Sequence, residues 1–133
     1  LSIGYQKAAR ALRKEPHLVS ILPDGAAGSS MIEVTVEGVP FRVALGGATL
    51  ARVAPSTLFF LRTLQRHGAI QLELVEGPQM GPETDAEACE AAFAAFYAEG
   101  ITRILRSSPE DMQSVQFLRA AQPGSDDSLG FEE

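Results

Sequence analysis

The alternation of apolar and polar positions predicts most of the elements in this chain. Between Ser2 and Glu15, Ile3, Ala8, Ala11 and Leu12 form an apolar stripe, while Lys7, Arg10, Arg13 and Lys14 occupy much of the remaining circumference. That is the pattern of a basic amphipathic helix. Pro16 ends it, because a proline disfavours helical geometry at the residue before it. His17–Leu22 then reads as a short strand closed by the turn Pro23-Asp24-Gly25, and residues 25–30 read as a loop. Ile32, Val34 and Val36 alternate with Glu33, Thr35 and Glu37, the clearest strand signature in the chain. Glu37-Gly38 separates it from a second alternating run, Val39, Phe41, Val43 and Leu45, so the pair predicts a β-hairpin. Pro40 places this second run at a sheet edge or a strand start.

Gly46-Gly47 reads as the end of that hairpin. Pro55 and Ser56 open a segment in which Leu58, Phe59, Leu61 and Leu64 cover a broad apolar face, predicting a helix to about His67 with Gly68 as its stop. Ile70, Leu72 and Leu74 alternate with Gln71 and Glu73 as another strand. Thr84 and Glu87 stand at capping-box spacing and open a helix whose apolar content runs from Ala88 to Tyr97, up to Gly100. Ile101–Arg106 matches helix and strand periods about equally and is read as a fifth strand after a stop at Gly100. Ser108, Pro109 and Asp111 start a further helix, and Pro123–Glu133 is a flexible acidic tail.

These elements run α-β-β-β-α-β-α-(β)-α. An antiparallel hairpin in a strand-rich first half argues for α+β architecture: one domain over residues 1–122, with a mainly antiparallel four- to five-stranded sheet and helices on one face. A chain of 133 residues is long enough for one core. No apolar run approaches the roughly 18 residues of a membrane span, and no signal-peptide pattern opens the sequence. The single cysteine agrees with a cytoplasmic setting.

Charge adds a feature that hydropathy does not show. Residues 1–67 hold eight basic and four acidic residues, a net +4, whereas residues 68–133 hold three basic and thirteen acidic, a net −10. The overall −6 therefore describes a polarised molecule, with a basic first helix and an acidic second half.

Chemistry-bearing constellations are sparse. Cys89, His17 and His67 are too few and too scattered for a zinc site. Asp85, Glu87 and Glu90 gather at a helix start, where acids complement the helix dipole. Cys89 lies among Ala88, Ala92 and Phe93, as a small core residue does. His67 reads as a helix-end capping residue, and no Gly-x-Ser-x-Gly elbow accompanies any serine. Gly46-Gly47, with Arg42 and Arg52, is the one candidate anion-binding position, but it lacks the third glycine of a dinucleotide fingerprint and is favoured as a turn. No catalytic residue, metal or cofactor is expected.

The leading expectation is a non-catalytic cytoplasmic protein that binds another macromolecule or its own copy. Lys7, Arg10, Arg13 and Lys14 are the candidate partner-binding residues, and their match to Asp85, Glu87 and Glu90 of another copy suggests a homo-oligomer with no membrane association. One alternative is a nucleic-acid-associated regulator that sets the basic helix on phosphates while the acidic tail competes. The other is a small-molecule binder or enzyme with a pocket beside Gly46-Gly47 and the 25–30 loop, watched by Arg42, Arg52 and His67.

Overall fold

Three helices and two antiparallel hairpins follow one another in the computed structural model, which describes residues 3–14, 16–23, 30–54 and 56–109. They are α1 (Ile3–Lys14), β1 (Met31–Val36), β2 (Val39–Ala44), α2 (Gly46–Val53), β3 (Phe59–Arg66), β4 (Ala69–Glu76) and α3 (Ala86–Ser107). The chain is thus α+β, but its described strands form two separate two-stranded sheets, β1-β2 and β3-β4, in place of one sheet of four to five strands.

Both hairpins close in the same way. Glu37-Gly38 and His67-Gly68 each have positive φ at both positions, 48° and 80° in the first and 51° and 78° in the second. This is the two-residue turn whose twist matches the flanking strands, and it explains a glycine at each second position. Register follows directly, with Val34 opposite Phe41 in the first hairpin and Leu61 opposite Leu74 in the second.

The first hairpin obeys its alternation. Ile32, Val34, Val36, Phe41 and Val43 belong to the main core with Ala48 and Ala51 of α2 and Cys89, Phe93 and Ile101 of α3, while Glu33, Thr35 and Arg42 are exposed on the other face. Helix α3 carries the core along a four-residue spacing, Cys89, Phe93, Tyr97, Ile101 and Leu105, which keeps these side chains on one face. Tyr97 joins the two hairpins: its ring stacks on Phe41 at 6.1 Å between centroids and meets Phe60 of β3 at 5.8 Å. A second cluster forms where α1 sets Tyr5, Ala8, Ala9 and Leu12 on Leu50, Val53 and Ala54, with Val19 and Ile21 packed alongside.

Four expectations are corrected. The helix expected over 55–67 is strand β3: its apolar residues fall on both faces of a hairpin, so alternation is hidden and a helical period appears by default. The strand expected at Ile101–Arg106 is the last part of α3, which continues through Gly100. That glycine is buried because Phe60 occupies the space a side chain would need. The turn read at Gly46-Gly47 is the first turn of α2, disguised by two residues of poor helix propensity. Its buried Gly47, Ala48, Leu50 and Ala51 have helical spacing. No ladder forms at His17–Leu22, although Val19 and Ile21 still face the second cluster while Leu18 and Leu22 are exposed.

The cap of α3 also shifts by one residue. Asp85, not Thr84, accepts the Ala88 amide at 3.1 Å, and Thr84 Oγ1 instead accepts the Gly81 amide at 3.3 Å. The helix expected from Ser108 onward lies, beyond Pro109, outside the described residues, as do the 123–133 tail and most of the 25–30 loop.

Candidate docking surface

Hairpin β3-β4 has two apolar faces, and the described residues cover only one of them. The inner face presents Phe60, Arg62, Leu64, Glu73 and Val75. Phe60 packs edge-on against Phe96 of α3 at 6.3 Å, and Arg62, largely buried, pairs with Glu73 across the strands and donates to Ser107 Oγ at 2.8 Å. Aromatic packing and a charge-assisted tie at the end of α3 therefore fix the hairpin.

Among the described residues none covers the outer face in this way. Phe59, Leu61, Ile70, Leu72 and Leu74 are 46%, 53%, 73%, 66% and 62% exposed. The register makes them neighbours: Leu61 lies opposite Leu74, Leu72 opposite Thr63, Ile70 opposite Gln65 and Phe59 opposite Glu76. Across these eight positions the one charge is Glu76, at one end. An antiparallel sheet that met only water would place polar side chains here, as β1-β2 does with Glu33, Thr35 and Arg42. At these exposures the five residues, backbone included, present up to about 600 Å² of accessible surface, comparable with the roughly 300–600 Å² of the largest patch on a typical monomer. Core-like composition with charges excluded is what distinguishes the centre of a protein interface.

The residues singled out from the sequence lie elsewhere. Lys7, Arg10 and Lys14, at i, i+3 and i+7, share an exposed stripe of α1 opposite the side that packs on α2. They make no ion pair with a described residue. Arg13 departs from that stripe: its Nε donates to the Val53 carbonyl at 3.1 Å and its Nη2 donates to the same oxygen, so it neutralises the C-terminal end of α2.

Gly46 and Gly47 are covered by aromatic rings. Tyr5 stands over the first, and Phe93 Cε2 lies 2.7 Å from where a Cβ on the second would be. Arg42 is on the solvent face of β2 while Gly47 faces the core, so the two do not converge. Arg52 borders a shallow recess with Ala48, Thr49, Ala86, Cys89 and Glu90, and another lies between Phe60, Phe96 and Gly100. Their cavity volumes are only about 20 Å³ and 10 Å³, far below the roughly 300–1,000 Å³ of small-molecule sites. Cys89 is buried, His67 occupies a hairpin turn, and no cluster of metal-ligating side chains occurs among the described residues. No helix among them is long and apolar enough to cross a membrane.

Sequence reasoning treated Leu61, Ile70, Leu72 and Leu74 as buried faces. A signal for the opposite was present: Phe59-Phe60-Leu61 and Leu72-Glu73-Leu74-Val75 place apolar residues on both sides of a strand pair, and one helix can cover only one side. Comparison with protein-family models, curated proteins and solved structures finds no match to this chain.

Proposed function

We propose that this protein is a non-catalytic protein-binding module whose docking surface is the outer face of the β3-β4 hairpin. The observation that carries the reading is the contiguous set Phe59, Leu61, Ile70, Leu72 and Leu74, exposed and almost free of charge. Nucleic acid requires cations along its backbone path, and this face offers none. A small molecule requires enclosure, and a flat hairpin gives none. A protein surface of matching apolar character satisfies it, because association removes the patch from water at roughly 25 cal/mol per Å² before association costs are deducted.

A photo-cross-linking residue at position 72, compared with one at position 35 on the polar face of the first hairpin, tests the reading in cells that express the full chain. Protein cross-links at 72 that are absent at 35, and that disappear when Leu61 and Leu74 are both changed to Glu, are the expected result. Equal cross-linking at both positions, or none at 72, contradicts it.

A further inference from the structure

We infer that the occupant of this face is a second copy of the same chain, stacked hairpin on hairpin about a two-fold axis. This rests on the docking reading above and adds the partner's identity. Area is the first argument. Two faces of up to about 600 Å² can bury at most about 1,200 Å² together, which reaches the lower bound of a stable specific interface. The face thus suffices for a dimer without recruiting another part of the molecule.

Self-complementarity is the second. An isologous contact requires a surface that tolerates itself, so a charge near its centre would be repeated against its own image. Here the central rows hold Leu61 with Leu74 and Thr63 with Leu72, and Glu76 stands at the edge. With the axis perpendicular to the strands, Leu72 of one copy lies over Leu74 of the other. The two Glu76 carboxylates fall at opposite ends, and the sheets stack about 10 Å apart as in a β-sandwich. A closed pair also consumes the face completely, which removes the route to open-ended aggregation that an exposed apolar hairpin otherwise provides.

The charge distribution fixes the sign of the salt response. Each copy carries a net −6, so two copies repel one another and added salt relieves that repulsion. A dimer joined head to tail by Lys7, Arg10 and Lys14 on Asp85, Glu87 and Glu90 responds in the opposite direction, since salt screens its attraction.

Sedimentation velocity on the purified full chain, from about 1 to 100 µM at low salt and at about 0.5 M salt, tests the inference. The expected result is a monomer–dimer equilibrium that salt leaves unchanged or tightens. Leu72→Glu with Leu74→Glu, and separately Thr63→Arg at a small exposed position in the centre of the face, weaken it at least about tenfold while far-UV circular dichroism stays native. If the double variant does not fold, Thr63→Arg decides. A wild-type monomer at the highest concentration overturns the second copy, as does a dimer indifferent to Thr63→Arg. A monomer that still cross-links through position 72 to a different protein overturns the second copy alone and leaves the docking face standing.

Discussion

The ring of Phe60 lies against Gly100 so closely that a Cβ at position 100 would stand 2.5 Å from Phe60 Cδ2 and 2.7 Å from Cζ. This contact seats the second hairpin on α3 and so aims its other face outward. Phe60 cannot retreat, because Phe96 and Tyr97 hold its ring from two further directions. Gly100→Ala therefore sets a helix-propensity gain of about 1 kcal/mol against overpacking of about 1–3 kcal/mol. The expected outcome is net destabilisation, seen as a lower urea midpoint at a fixed protein concentration. Adding Phe60→Ala relieves the clash, so the two changes together cost less than their sum. Strict additivity would show that the contact is not tight.

The second turn is open to improvement. His67 adopts φ 51° without a glycine's freedom, and asparagine is the preferred residue at that turn position. His67→Asn is expected to raise stability by about 0.5 kcal/mol, whereas Gly68→Ala, at φ 78° with open space around it, costs about 1 kcal/mol through backbone strain alone. Urea unfolding distinguishes them. A stabilising Gly68→Ala would contradict the turn geometry.

Capping of α3 separates two adjacent residues. Asp85→Ala removes the side chain that accepts the Ala88 amide and is expected to cost about 1 kcal/mol. Thr84→Ala loses only a weaker 3.3 Å contact with Gly81 and is expected to cost less than half of that. Thermal unfolding of the two single variants reads the order, and a larger effect at Thr84 would return the cap to that residue.

The four basic residues of α1 divide into one structural and three surface positions. Arg13→Ala gives up its bond to Val53 at the end of α2 and is expected to destabilise by about 1 kcal/mol. Lys7, Arg10 and Lys14 changed to Gln, singly, are expected to stay within about 0.5 kcal/mol of the wild type. Equal losses at all four positions would place the whole stripe in a contact.

Where an element has one buried side, its sequence is transparent. The first hairpin was legible because Glu33, Thr35 and Arg42 interrupt Ile32, Val34, Phe41 and Val43 at a strict period of two, and α1 because Lys7, Arg10 and Lys14 lie opposite Ala8 and Leu12. Legibility fails where a residue answers to a partner distant in sequence. Gly100 looks like a helix stop until Phe60 is placed on it, and Gly46-Gly47 looks like a turn until Tyr5 and Phe93 cover it. The exposed apolar face was concealed for the same reason: Leu61 and Leu74 look like core, and only the placement of α3 on the opposite side leaves them outside. The charge split of the sequence resolves in part within the fold, where Glu37 of the first turn meets Arg106 of α3 at 2.8 Å.

The most direct test of self-association through the second hairpin is an amide ¹H–¹⁵N spectrum of the full chain followed over a dilution series, which reports residue by residue which surface changes on association. The responding amides are expected to lie in Phe59–Arg66 and Ala69–Glu76, with Lys7–Lys14 and Asp85–Glu90 unchanged. Changes centred on Lys7, Arg10, Lys14 and Asp85–Glu90, with the second hairpin silent, would contradict it.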